Sequence, residues 1–148
     1  MSTLDWADRN WPILRRLMGG HTTLYKLTGG LIGYAVPGAP RTLLLEHVGA
    51  KSGTKRTSPL SFIRDGDAYV IVASKGGYPQ NPAWFHNLKA NPDTTIQVRN
   101  KKVPVRARVA TPEERERLWP DVVKAYSGYA GYQKRTEREI PLVLLEPR

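Results

Sequence analysis

Cysteine is absent from the 148 residues. That one absence excludes disulfides, thiolate metal sites, iron–sulfur clusters and a cysteine nucleophile, and it suits a reducing compartment. Acidic side chains are scarce: 13 Asp and Glu stand against 23 Lys and Arg, a net charge of +10. No apolar run approaches the roughly 18 residues of a membrane-spanning helix. The first residues, carrying Asp5 and Asp8, do not read as a signal peptide. Internal repeats and low-complexity tracts are missing. His21, His47 and His86 are too scattered for a metal site, and no Gly-x-Ser-x-Gly elbow marks a serine hydrolase.

The charge excess is unevenly placed. Residues 76–110 carry a net +5 and residues 41–75 a net +3, whereas 111–148 balance at zero. Such a field attracts an acidic ligand, nucleic acid or an anionic membrane. The aromatics lie away from the Arg99–Arg108 cations and no nucleic-acid motif is present, so a nucleic-acid partner is not expected.

Residues 4–18 read as a helix broken near Trp11-Pro12, with Ile13, Leu14, Leu17 and Met18 in one stripe. Thr22 or Thr23 can cap a second short turn through Leu24 and Leu27. Two readings stand for residues 4–27: helices covering the open end of a sheet, or a peripheral membrane contact. The second would set Trp6 and Trp11 at the interface and Arg9, Arg15, Arg16 and Lys26 against headgroups. Residues 31–40 form an apolar connector with two prolines.

Strands are expected near 42–48, 57–64, 67–74, 94–99, 103–110 and 142–145, with a tight turn at Asp65-Gly66. A short helix should occupy Pro82–Lys89, capped by Asn81. Another should open at Thr111-Pro112-Glu113-Glu114, a capping-box pattern, and run to about Tyr126. Short helices and few crossovers give an α+β domain with a mostly antiparallel sheet, a small barrel over 41–148 preceded by a helical segment at 1–40.

Between the first two strands lies Gly49-Ala-Lys-Ser-Gly-Thr-Lys-Arg56, two glycines with Lys51, Lys55 and Arg56. Glycines free backbone N–H groups to turn toward a ligand, and cations beside them favour phosphate or carboxylate. A P-loop is excluded, because Gly53-Thr54-Lys55 replaces Gly-Lys-Ser/Thr and a strand follows. A second basic glycine loop, Ala73-Ser-Lys-Gly-Gly77, precedes a helix N-terminus, itself an anion site. Tyr126, Tyr129 and Tyr132 recur at helical spacing, but Gly128 and Gly131 weaken that helix and suggest a mobile flap over a planar ring. Of the histidines, only His86, beside Trp84 and Phe85, is placed near a ligand.

Taken together, Gly49-x-Lys-Ser-Gly-x-x-Arg-x-x-Pro-Leu60, Ser74-Lys-Gly-Gly77, Asn81-Pro-x-Trp84 and Asn87-Leu-x-Ala-Asn-Pro92 resemble the deazaflavin-dependent nitroreductase family of actinobacteria. Tyr126-x-x-Tyr129-x-x-Tyr132-Gln, Thr136 and Ile140-Pro141 resemble it too. The resemblance, over about 42–147, implies a split β-barrel and the cofactor F420, a deazaflavin with a phosphate and an oligoglutamate tail. It also implies hydride transfer from reduced F420 to a quinone or another activated acceptor, nitroaromatics included. FMN or tetrapyrrole binding on the same fold, or F420 carriage without turnover, are the alternatives.

By residue match, the resemblance implies that Ala50, Lys51, Ser52, Arg56, Thr57, Ser58, Pro59 and Leu60 hold the phosphate and tail, with Ser61 beside them. Val72, Ala73, Ser74 and Lys75, with Ala83, Trp84, Phe85, His86 and Asn87, would wall the cofactor. Tyr129 would cover the ring; Ser61, Tyr126 and Tyr132 would meet the acceptor. Ser74 and Tyr126 are the candidate hydrogen-bond donors for the reaction, with Tyr129 beside them. Ser61 stands where the nitroimidazole-activating member carries an aromatic, so activity on that class is not expected. The implied location is cytoplasmic, or peripheral on the inner face of the cell membrane.

Overall fold

The computed structural model describes Thr22, Tyr25, Lys26 and residues 41–148. Strands β1 (Thr42–Val48), β2 (Lys55–Asp65), β3 (Ala68–Val72), β4 (Asp93–Val98), β5 (Lys101–Val109) and β6 (Leu142–Pro147) close into a barrel. Its order is β1-β2-β3-β6-β5-β4, with β4 returning to β1, and every pairing is antiparallel. Three helices decorate it among the described residues: α1 (Ala83–Ala90), α2 (Pro112–Ala125) and α3 (Gly128–Arg135). The helix expected at 4–18 and the connector at 31–40 lie outside the described residues.

Alternation sorts the side chains. On β6, Val143 and Leu145 enter the barrel interior with Leu43, Leu45, Ile71, Ile96 and Val105. Leu142 and Leu144 point the other way and pack with Val70 under Leu118 and Val122 of α2. A strand buried on both faces reads as an unbroken apolar run. On β1, too, Thr42 and Leu44 are buried on the face opposite Leu43 and Leu45. Tyr25 packs there: it is fully buried, its hydroxyl lies 3.1 Å from the Thr42 carbonyl and accepts the Arg99 N–H at 2.6 Å.

The capping box at α2 forms as expected. Thr111 Oγ1 accepts from the Glu114 N–H at 3.2 Å, and the Glu114 carboxylate accepts from the Thr111 N–H at 3.0 Å. Two expectations need correction. Asn81 does not cap α1: Pro82 is the cap residue, and the Asn81 side-chain oxygen instead accepts from Arg138 at 2.8 Å. The tyrosine segment, whose glycines argue against a helix and for a mobile flap, is folded as a helix, α3. Tertiary packing on the turn at Lys75–Gly77 overrides the weak propensity of its glycines.

One feature of the register opens the barrel wall. β2 pairs with β1 from Lys55 to Ser61 but meets β3 only from Phe62 to Asp65. The leading half of β2 therefore has a free edge toward β3. Pro59, which has no N–H, sits in that half, where the sheet tolerates proline.

Candidate active site

The loop between β1 and β2 is folded by its own backbone. The Gly49 N–H donates to Thr54 and the Gly53 N–H to Gly49, both at 2.9 Å; Ser52 Oγ accepts from the Thr54 N–H at 3.2 Å. Helix α1 holds it from outside, as the Ala50 N–H donates to Asn87 Oδ1 at 2.9 Å. Loop and helix enclose a cleft of about 590 Å³ lined by Gly49, Ala50, Lys51, Ser52 and Arg56 on one side and Ala83, His86 and Asn87 on the other.

Its electrostatics are one-sided. Arg106, Arg108, Arg115 and Arg117 each have a carboxylate partner. No carboxylate of the described residues pairs with Lys51 or Arg56. No side chain caps α1, whose first residue, Ala83, lines the cleft. Unpaired cations and an uncapped helix N-terminus facing one space make a site for a polyanion.

The expected cofactor residues divide in space. Ala50, Lys51, Ser52, Arg56, Ala83, His86 and Asn87 meet at this cleft. Thr57, Ser58, Pro59 and Leu60 continue along β2: Thr57 Oγ1 accepts from Lys26 at 3.2 Å, Ser58 Oγ contacts His47 at 2.8 Å, and Leu60 packs on the interior cluster. Trp84 and Phe85 are buried in that cluster, where they support α1 from within rather than line the cleft.

Past the free edge of β2 lies the second group. Val72 shares a small cavity with Ser61 and Tyr129. Ala73 is fully buried, Ser74 begins the 3-10 turn at Lys75–Gly77, and exposed Lys75 has φ 44°. A lysine in the left-handed region is strained. The turn abuts α3, since Gly77 lies under the Tyr132 carbonyl. The turn that Ser74 begins is thus packed against the tyrosine helix.

The tyrosine rings form a triangle with centroids 5.1 Å (Tyr126–Tyr129), 6.1 Å (Tyr129–Tyr132) and 6.3 Å (Tyr126–Tyr132) apart. Tyr129 turns inward against the cluster under α2, and its hydroxyl bonds Ser61. Burial pushes the Tyr129 phenol up to about 12. Burial, then the hydroxyl contact with Tyr126 at 3.5 Å, raises Tyr132 as well. These phenols keep their protons at neutral pH.

Two residues escaped the sequence reading. Arg138 donates to the carbonyls of Ala73 (3.2 Å), Ser74 (2.8 Å) and Tyr78 (2.9 Å) as well as to Asn81. It pins both ends of the Ser74 turn, and nothing in the local pattern announces it. His47 had a signal: it shares the inward face of β1 with Leu43 and Leu45, a position where a polar residue needs partners.

The model of the F420H2-dependent quinone reductase family matches residues 17–147. An F420H2-dependent quinone reductase of Mycobacterium tuberculosis is 46% identical over 151 residues, covering all of both chains. The solved structure of an F420H2-dependent reductase has 43% identity and a TM-score of 0.66 over 76% of this chain and all of its own. A domain-swapped dimer gives 38% identity and a TM-score of 0.68 over 98% of this chain and all of its own. By sequence over nearly its full length, and by a barrel that these relatives share, the chain belongs to the F420H2-dependent quinone reductase family.

Proposed function

We propose that the cleft between the 49–54 loop and α1 holds the phosphate and glutamate tail of F420, and that the deazaflavin ring lies toward Ser74 and the tyrosine triangle. The protein is an F420H2-dependent oxidoreductase whose electron acceptor is a quinone. The observation that carries the site assignment is the pairing of two uncompensated cations, Lys51 and Arg56, with the uncapped α1 N-terminus around one space. A phosphate with several carboxylates suits that set, and a neutral ligand would leave it unmatched.

Bound there, reduced F420 supplies a hydride. What remains for the protein is binding, orientation and charge stabilisation. Lys51 and Arg56 bind the anionic end. Arg138 fixes the Ser74 backbone. The Ser74 and Tyr126 hydroxyls donate toward an acceptor oxygen on which negative charge develops. Tyr129, held by Ser61 and kept as a phenol, supports the ring of Tyr126 from below.

Titration with F420 and, separately, FMN, followed by tryptophan fluorescence, tests the cofactor; saturable F420 binding without an FMN response is expected, and the reverse pattern rejects it. No described helix is long and apolar enough to cross a membrane. The lack of cysteine supports a cytoplasmic enzyme, and Trp6, Trp11, Arg9, Arg15 and Arg16 support docking on the anionic bilayer that holds quinones. Co-sedimentation with anionic but not neutral vesicles tests that docking.

A further inference from the structure

The polarity of one buried hydrogen-bond chain is dictated by its end. The Ala50 N–H can only donate, so the Asn87 atom 2.9 Å away is its carbonyl oxygen. The Asn87 amide nitrogen then faces His47 Nδ1 at 2.9 Å and donates to it. An imidazole that accepts at Nδ1 carries its proton on Nε2, which lies 2.8 Å from Ser58 Oγ. His47 and Asn87 are 5% and 7% exposed, so neither can exchange these partners for water.

We propose that His47 is the positioning residue of the cationic loop: as the Nε2–H tautomer it fixes Asn87 so that α1 holds the Ala50 N–H, and a second proton, on Nδ1, breaks that hold. With Nδ1 protonated, two donors face each other. Turning the Asn87 amide over satisfies the imidazolium but sets the amide nitrogen against the Ala50 N–H. No orientation of Asn87 serves both neighbours; the buried Asn87–His47 contact is the costly one to leave unmet, so the bond given up is that of the exposed Ala50 N–H. Proton uptake therefore unties the two walls of the cleft.

The surroundings oppose that proton. β2 contributes Arg56 and Lys55, the loop Lys51, and α1 His86 and Lys89. Of the nearby carboxylates, Glu46 on β1 is engaged by Lys102 and Asp93 on β4 by Arg106. Burial, and then Arg56, hold the His47 imidazolium below the ordinary histidine value. A bound polyanion would pull the other way, so the hydrogen-bond logic is best read without cofactor; only its effect on binding rests on the assignment of the cleft to F420.

Asn87→Asp separates this role from mere packing, because a carboxylate accepts from the Ala50 N–H and from an imidazolium together. The experiment is nitrogen-15 NMR of the cofactor-free full chain, from about pH 8 to about pH 5, a range that brackets histidine titration. In the wild type, His47 Nδ1 is unprotonated at the upper end, and the Ala50 amide signal moves with the His47 midpoint. In Asn87→Asp the His47 midpoint rises by about one unit or more, and the Ala50 amide does not follow it. An Nδ1–H tautomer at the upper end, or an Ala50 amide indifferent to His47 in the wild type, overturns the proposal. Toward acid, F420 affinity should fall about threefold more in the wild type than in Asn87→Asp. Equal pH slopes sever the link to binding, whereas a wrong cleft assignment shows independently in the Lys51 and Arg56 variants.

Discussion

Gly77 lies directly beneath the carbonyl oxygen of Tyr132: a Cβ built on it would be 2.6 Å from that oxygen and 3.0 Å from Arg135 Cβ. Gly77 also has φ 81°, so side chain and backbone both forbid a larger residue. The close approach is what joins the Ser74 turn to the tyrosine helix. Gly77→Ala should cost about 1–3 kcal/mol in stability and move α3 away from Ser74. Urea unfolding measures the first, and a fall in kcat with little change in F420 affinity reports the second.

Arg138 donates to four acceptors, three of them backbone carbonyls around Ser74. Arg138→Ala leaves part-buried carbonyls unmatched, at about 1–3 kcal/mol. Arg138→Lys keeps the charge but cannot span the acceptors. Both variants should lose quinone turnover while F420 dissociation changes less than about threefold, or 0.65 kcal/mol. Steady-state rates beside F420 titrations check this; a lysine variant of wild-type rate would reduce Arg138 to a charge.

Gly128 makes room for the Tyr126 ring, which crosses the place a Cβ would occupy. The ring is the movable partner, and alanine favours helix by up to about 1 kcal/mol over glycine. Gly128→Ala should therefore leave stability level or higher yet raise the KM for the quinone by displacing Tyr126. Thermal melts and acceptor kinetics on one preparation test this, and an unchanged KM would free Tyr126 from acceptor contact.

Acid should destabilise the fold in two steps. His47 holds its proton more weakly folded than unfolded, so the unfolded chain takes up protons first as pH falls through about 6.5, and stability declines from there. Arg108, foremost, holds the Glu114 carboxyl down to about 2. Its contribution is full above about 4.3, the unfolded value, and is lost as pH falls toward 2. Urea midpoints measured across this range should show both declines. Arg108→Gln should flatten the second decline and spare the first; parallel curves for the two proteins would contradict it.

The positions of the strands along the chain and the α2 capping box were legible because their signals are local; the order in which the strands pair was not. Thr111, Pro112 and Glu114 satisfy each other within one turn, and β1 and β6 announce themselves by apolar runs. Lys51 and Arg56 were legible as cations near glycines. Asn81 misled, because a residue 57 positions later takes its oxygen. Gly128 and Gly131 misled similarly: helix α3 is imposed by the turn it packs on, not by its own residues. His47 was passed over because its partners, Ser58 and Asn87, converge only when the loop folds.

The central claim is that Lys51 and Arg56 clamp the anionic end of F420, and the F420 dissociation constant of the Lys51→Ala/Arg56→Ala double variant tests it most directly. Both side chains are exposed and outside the core, so the variant should fold. The constant should rise at least about tenfold, or 1.4 kcal/mol, with the salt dependence of binding reduced. A folded double variant that binds F420 as tightly as the wild type would contradict the assignment.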